Sequence, residues 1–218
     1  NIWFRVEWNL WKTNWTIIDK ETINKILHDL LRWDEVLIKY FLEKKDLDFA
    51  YIHTDKTPFR INAFYKLWKM AFVMRRIASK PKTMEELWLP EWVKKFTKAK
   101  QWLILVTWPT WSWKSTSMIS ILDEINKTRR EHILTIEDPV EFIFEDNQSI
   151  FSQREIWKDT NWFSQALRAA MREDPDIVMV WEMRDRETVE AAMELAETGH
   201  LVISTLHTAW SVQTITRL

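Results

Sequence analysis

Residues 103–116 read LILVTWPTWSWKST, and the order of their side chains decides the class of fold. The first five, Leu103–Thr107, form a short, continuously apolar run that is typical of a β-strand buried on both faces. A loop follows at once, and a helix is expected from Lys114 to about Lys127. Three more apolar runs and two amphipathic helical patterns follow, at 132–136, 177–180, 201–205, 160–172 and 187–197. This alternation predicts βαβ units and an α/β fold with a parallel sheet.

The first eighty residues follow another pattern. A helix is predicted over 19–44, where apolar residues recur at three- and four-residue spacing, and three strands are predicted over 47–53, 58–65 and 69–77. Proline residues at 81 and 90 then interrupt the periodicity. We therefore expect a small α+β domain over 1–80, a linker over 81–100 and the α/β domain over 101–218.

The composition narrows the possible functions. The chain has 218 residues, a net charge of −1 and no cysteine. Without cysteine the chain forms no disulfide and no thiolate metal site. No apolar run reaches the length of about 18 residues that a membrane span needs. The near-neutral charge gives no support to a nucleic-acid-binding surface.

The loop after the first strand has the length and order of a phosphate-binding loop, G-x-x-x-x-G-K-[ST], with tryptophan in place of glycine. The candidate phosphate-binding residues are Trp108, Pro109, Thr110, Trp111, Ser112, Trp113, Lys114, Ser115 and Thr116. Lys114 would reach the β- and γ-phosphates, and the Ser115 hydroxyl would bind Mg²⁺. Read literally, the indoles occupy the space of the phosphates and the loop is inactive. The alternative is a Ser/Thr-rich turn before a helix.

Two acidic residues follow predicted core strands. Glu137 ends one strand, and could polarise a water or stabilise Mg²⁺, although a solvated acidic turn explains the segment alone. Glu182 follows the strand 177–180, where a carboxylate beside a phosphate loop forms a Walker B arrangement. It would hold the Mg²⁺ shell or activate the attacking water.

Two histidines, His200 and His207, flank the strand at 201–205. Their spacing does not match a zinc site. They are candidates for sensing the γ-phosphate or for a hydrogen bond across a subunit boundary, and the alternative is a pair of structural histidines.

Taken together, the ordered motifs resemble the type IV pilus retraction ATPases of the secretion-ATPase superfamily. The resemblance runs over nearly the whole chain. It rests on the loop at 108–116 and on four further segments, ILTIEDPVEF at 133–142, FSQREIW at 151–157, ALRAAMREDPDIVMVWEMRD at 166–185 and AETGHLVISTLHT at 196–208.

The resemblance implies a PAS-like N-terminal domain followed by a RecA-like P-loop ATPase domain, with the C-terminal helical region of the family missing. It implies ATP and Mg²⁺ as cofactors, and a homo-hexamer that works with a pilus inner-membrane platform protein. It also implies a cytoplasmic location at the inner face of the membrane, without spanning it, and no nucleic-acid partner. The implied catalytic residues are Glu182, Glu137, His200, His207, Arg60 and Arg75, with Ser115 and Glu182 as metal ligands and Arg154 as a further phosphate contact.

The tryptophans suggest a hypothesis of their own. The chain has 1 glycine and 16 tryptophans, whereas an average protein of this length has about 15 glycines. The family has glycine at 102, 108, 111, 113, 157 and 181, and also at 68 and 88, so we expect these tryptophans to be glycines encoded by UGA codons. The predicted function is an ATP-hydrolysing motor that drives pilus retraction. The alternatives are a pilus-assembly or type II secretion ATPase, or an inactive scaffold subunit if the tryptophans are genuine.

Overall fold

A computed structural model describes residues 2–6, 9–12, 18–78, 80–107, 114–183 and 185–206. The chain divides into two compact units. The first consists of Asn1–Leu47 and Asn62–Val73, and the second consists of Asp48–Ile61 and Met74–Leu218. The boundary between the two units does not lie at residue 80, because residues 1–80 are divided between both units. The domain limits drawn from the sequence, 1–80, 81–100 and 101–218, therefore stay a prediction.

The first unit contains a β-hairpin and two helices. Strands β1 (Trp3–Val6) and β2 (Asn9–Lys12) pair in antiparallel fashion. Helices α1 (Lys20–Leu30) and α2 (Glu35–Lys44) then occupy the region that the sequence predicted as one helix over 19–44.

The prediction of a single helix there is wrong because the backbone turns between the two helices. Arg32 and Trp33 adopt left-handed φ angles of 52° and 61°, which no α-helix can contain. Asp34 then starts α2, since its carboxylate accepts the backbone N–H groups of Val36 and Leu37 at 2.9 and 3.1 Å.

Three further strands form a separate sheet in the order β3-β4-β5. They are β3 (Asp46–Ile52), β4 (Pro58–Lys66) and β5 (Lys69–Arg76), close to the three strands that the sequence predicted. Leu67 and Trp68 alone join β4 to β5, and both have left-handed φ angles, of 48° and 66°. Such two-residue loops favour glycine at the second position.

The region predicted as a linker, 81–100, contains a 3-10 helix at Glu91–Lys98. Met84 and Val93 are buried and pack into the core of the second unit. The Arg129 guanidinium donates to the carbonyl oxygens of Thr97 and Ala99 at 2.9 and 2.6 Å. This segment is therefore an ordered part of the second unit. No helix within the described ranges is long and apolar enough to cross a lipid bilayer.

The second unit is built on a five-stranded sheet with the order β6-β10-β9-β7-β8, in which neighbouring strands run parallel. The strands are β6 (Trp102–Thr107), β7 (His132–Glu137), β8 (Ile150–Glu155), β9 (Ile177–Val180) and β10 (Leu201–Leu206). The helices between them are α3 (Lys114–Thr128), α4 (Phe163–Ala170) and α5 (Arg186–Glu197). The predicted α/β fold with a parallel sheet is confirmed.

Both faces of this sheet are covered. Successive residues of one strand belong to two different hydrophobic clusters, one on each face of the sheet. Ile133 packs with α3 on one face, and Leu134 packs with α4 and α5 on the other. This two-sided burial explains why the strands are continuously apolar. Because the strands are parallel, their carboxyl ends share one edge of the sheet, where α/β proteins bind ligands.

Candidate functional site

Lys114 begins α3, at the carboxyl edge of the sheet next to β6. Lys114 is only 8% exposed to solvent. Burial lowers the pKa of the ammonium group, and the carboxylate of Glu182 opposes that shift. A buried ammonium is costly unless an anion faces it, so this position is suited to binding a phosphate group. The predicted loop residues Trp108, Pro109, Thr110, Trp111, Ser112 and Trp113 lie outside the described residues.

Glu182 lies just after β9, and it is 7% exposed. The preceding residue, Trp181, donates its N–H to the carbonyl of Ile136 on β7 at 2.9 Å. Its own carbonyl accepts the Thr205 hydroxyl of β10 at 2.5 Å, and Met183 donates its N–H to the Thr205 carbonyl at 3.2 Å. The backbone around Glu182 is thus fixed to both neighbouring strands. Lys114 and Glu182 lie close enough for their charges to interact, and their roles at a nucleotide stay predictions.

Glu137 ends β7 and is fully enclosed. One carboxylate oxygen accepts the Thr135 hydroxyl at 2.7 Å and the Gln153 amide at 3.1 Å. The other accepts the backbone N–H of Glu141 at 3.1 Å. Burial raises the pKa of Glu137 to about 7, although these hydrogen bonds favour the charged form. Glu137 therefore anchors the turn at 138–141, and its predicted catalytic role stays a prediction.

Glu141 is a site residue that the sequence reasoning missed. Its carboxylate accepts Nη1 of Arg60 at 2.7 Å, and the Ser115 side chain adds another hydrogen bond. Burial raises the pKa of Glu141, and the charges of Arg60 and Arg75, together with the Ser115 hydrogen bond, oppose that shift. Sequence spacing gave no signal for this contact, because Arg60 lies 81 residues before Glu141.

The predicted arginines have different surroundings. Arg60, on β4, contacts Glu141 and also Asp48, at 3.5 Å. Arg75 is exposed at the end of β5 and acts on Glu141 through its charge. Arg154, on β8, instead donates to Glu173 at 2.7 Å and to the Asp159 carbonyl at 3.3 Å. The phosphate contact predicted for Arg154 stays a prediction.

His200 lies at the opposite edge of the sheet. It immediately precedes β10, whereas Lys114 and Glu182 lie beyond the carboxyl ends of their strands. Its Nδ1 is 2.9 Å from the Leu195 carbonyl and 3.1 Å from the Thr198 hydroxyl. A strand the length of β10 spans roughly 20 Å, so the structure does not bring His200 to Lys114 and Glu182. His207 lies outside the described residues.

The residues at the carboxyl edge fit a nucleotide with Mg²⁺. Within the described part of the chain, no group of three or more His, Cys, Asp or Glu side chains could hold a metal ion alone. Mg²⁺ in phosphate sites needs only one or two protein ligands, because phosphates and waters supply the rest. Ser115 and Glu182 could serve as these ligands beside the buried Lys114.

The chain is similar in sequence and in structure to known secretion-system and pilus ATPases. A family model described as "Type II/IV secretion system protein" matches residues 49–218. The type IV pilus retraction ATPase PilT of Pseudomonas aeruginosa is 42% identical over 214 residues, which are 98% of this chain and 62% of that protein. The type IV pilus assembly ATPase PilB of the same organism is also 42% identical, over 76% of this chain and 30% of that protein.

A crystal structure of the pilus retraction motor PilT with bound ADP matches with a TM-score of 0.89 and 40% identity. The match covers 99% of this chain and 62% of that one. This chain therefore spans 62% of the length of the retraction ATPase relatives. The resemblance to the retraction ATPases is confirmed, and the chain belongs to the type II/IV secretion system protein family.

Proposed function

We propose that this chain is the nucleotide-hydrolysing part of a motor that drives type IV pilus retraction. The observation that carries the proposal is the buried Lys114 at the start of α3, with Glu182 beside it at the carboxyl edge of a parallel sheet. The motor works as a homo-hexamer with a pilus inner-membrane platform protein, at the cytoplasmic face of the membrane. The retraction relative matches 98% of this chain and the assembly relative 76%, which favours retraction over assembly.

Each residue at the carboxyl edge has a proposed task. Lys114 binds the β- and γ-phosphates of ATP, and Ser115 and Glu182 hold Mg²⁺. When bound, Mg²⁺ neutralises charge on the phosphate oxygens. Glu182 also orients the attacking water, and Glu137 supports it by fixing the turn at 138–141. Arg60 and Arg75 supply positive charge to the phosphates.

The activity depends on glycine, not tryptophan, at positions 108, 111 and 113. The backbone elsewhere in the chain supports this reading. Trp88 has a φ of 54°, and its N–H and that of Leu89 bond to the carbonyls of Glu85 and Met84. This is a Schellman motif, which favours glycine at the residue that Trp88 occupies. The same pattern of bonds closes α5, and there Gly199 stands at that place with a φ of 105°.

Other tryptophans follow the same rule. Trp68, Trp102 and Trp157 have φ angles of 66°, 137° and 70°. The left-handed helical conformation of Trp68 and Trp157 costs an L-residue roughly 1–2 kcal/mol, and glycine avoids that cost. The φ of Trp102 lies in a region that glycine enters readily and other residues rarely do. The Trp68 side chain is also 96% exposed, so packing does not offset that cost. Trp181 differs, because it is buried and not among the left-handed residues, and its backbone does not require glycine.

The test compares the chain that carries tryptophan at 108, 111 and 113 with a variant that carries glycine at these three positions. We expect only the glycine variant to bind a fluorescent ADP analogue and to hydrolyse ATP with Mg²⁺. Binding by the tryptophan form would contradict the steric argument. Reading the codons is a second test, since UGG codons at 111 and 113 would refute the recoding. A deletion strain that still assembles pili but no longer retracts them would support the retraction role, whereas a strain without pili would support the assembly role.

A further inference from the structure

Glu155, the last residue of β8, joins two segments of the second unit that are far apart in sequence. One carboxylate oxygen accepts the backbone N–H of Ala50 on β3 at 3.1 Å, and the other accepts the N–H of Val140 at 3.2 Å. Lys158 lies beside Glu155 and donates to the Ala50 carbonyl at 3.4 Å. Two side chains of opposite charge therefore hold both backbone polar groups of Ala50.

The register of β3 and β4 places Ala50 directly opposite Arg60. The His53 N–H bonds to the Thr57 carbonyl at 2.9 Å across the turn between these strands. Three steps back from this pair, along each strand, lead to Ala50 and Arg60. Hydrogen-bonded pairs alternate along such a hairpin, and β3 is an edge strand, so the N–H and C=O groups of Ala50 point to the outer edge of the sheet. By binding them there, Glu155 fixes the strand that lies against Arg60.

The same carboxylate also fixes the turn that faces Arg60. Val140 directly precedes Glu141, whose carboxylate lies 2.7 Å from Nη1 of Arg60. The contacts thus form a closed ring that runs from Arg60 through this turn to Glu155 and back across β3. Glu155 is only 3% exposed, whereas the Arg60 side chain is 31% exposed. The buried, charge-assisted bonds therefore give the ring its rigidity, while the guanidinium remains open to a ligand.

We propose that Glu155 is a positioning residue, which keeps Arg60 within reach of the nucleotide phosphates by holding β3 against the turn at 138–141. The inference rests on the proposed function, because it needs a nucleotide at Lys114. Arg60 can pair with a phosphate only in the fraction of molecules in which its strand is held in place. The apparent dissociation constant of the nucleotide rises in inverse proportion to that fraction.

The experiment titrates the glycine variant of the full chain with a fluorescent ATP analogue in EDTA, which prevents hydrolysis. Glu155→Gln keeps the shape of the side chain but only one acceptor oxygen, so it can hold Ala50 or Val140 and not both. It should bind the analogue about three- to tenfold more weakly than the parent, and no more weakly than Arg60→Gln does. Glu155→Asp should also weaken binding, because a side chain one methylene shorter cannot span the two N–H groups.

Two comparisons separate positioning from a general loss of stability. Glu131→Gln is the matched control, because it alters a partly buried carboxylate at the opposite edge of the sheet, where Glu131 accepts Arg129 at 2.8 Å. It should lower the urea midpoint and yet bind the analogue like the parent. In an Arg60→Gln background, the loss of affinity from Glu155→Gln should shrink to less than about twofold, although the urea midpoint still falls.

Three outcomes overturn the positioning role and leave the proposed function standing. They are a loss of affinity that persists in full in the Arg60→Gln background, a Glu155→Gln variant that binds like the parent, and an equal loss in Glu131→Gln. If neither the parent nor Glu131→Gln binds the analogue, the proposed function itself is refuted, and the positioning role with it.

Discussion

Trp88 and Trp92 lie four residues apart, and the structure predicts opposite responses to glycine at the two positions. Trp88 has a left-handed φ of 54° and a side chain 91% exposed. Trp92 lies within the 3-10 helix, where φ is negative, and its ring meets Phe96 edge-on at 5.7 Å. Comparing glycine with alanine at each position cancels the loss of the indole and isolates the backbone.

The magnitude follows from two opposing terms. At Trp88, alanine carries the left-handed strain of roughly 1–2 kcal/mol, and glycine escapes it. Glycine has more freedom in the unfolded chain, which costs about 0.5–1 kcal/mol. Trp88→Gly should therefore be more stable than Trp88→Ala by up to about 1.5 kcal/mol, with a midpoint of about 0.75 kcal/mol. At Trp92 only the second term applies, so Trp92→Gly should be less stable than Trp92→Ala by about 0.5–1 kcal/mol.

Urea denaturation of the four variants measures both differences. With an unchanged slope, a shift of 1 kcal/mol moves the midpoint by roughly 0.3–1 M. The sign at Trp88 is the decisive result. If Trp88→Ala is as stable as Trp88→Gly or more stable, the left-handed backbone does not favour glycine there, and the structural support for recoded glycines is lost.

Three further predictions concern the second unit. Burial raises the pKa of Glu137 from 4.5 to about 7, so the folded protein keeps a proton that the unfolded chain releases. Stability should therefore fall by about 3 kcal/mol between pH 4.5 and 7 through this group, and Glu137→Gln should remove that share of the slope in urea titrations across pH. Lys114→Met in the chain with the loop glycines should weaken binding of the ADP analogue roughly tenfold or more, measured by fluorescence titration, and unchanged affinity would exclude Lys114 from the site. Glu155→Ala leaves the N–H groups of Ala50 and Val140 without their carboxylate partner, and should cost about 2–4 kcal/mol in urea denaturation.

The sequence predicted the parallel sheet because its central strands are apolar on both faces. It missed β8 (Ile150–Glu155), whose polar residues have partners elsewhere in the second unit. Gln153, for example, bonds to Glu137 and to the Phe142 carbonyl. The spacing of apolar residues carries no information about such hydrogen-bond partners, so a polar strand is not recognised from it. The break between α1 and α2 was missed for a similar reason. Trp33 is apolar and fits the spacing of a helix, but its left-handed φ of 61° is not a helical one.

The candidate site was predictable where a residue lies within two positions of a strand's end or opens a helix. Lys114 and Glu182 meet this condition, and they lie close enough for their charges to interact. Glu141 was missed because its importance comes from Arg60, which is 81 residues away in sequence. His200 is the opposite case. The family resemblance assigned it to the site, but it lies at the start of β10, at the end of the sheet away from Lys114 and Glu182.

The position of β10 has a consequence for how the chain acquires its fold. Of the five parallel strands it comes last in sequence, yet it lies between β6 and β9. During synthesis, β6 therefore cannot join the other strands until residues 201–206 have left the ribosome. Until then β6 and β9 each present an open edge, which invites pairing with other chains. We expect nascent chains halted before residue 201 to depend on chaperones, and chains released beyond residue 206 to close the sheet.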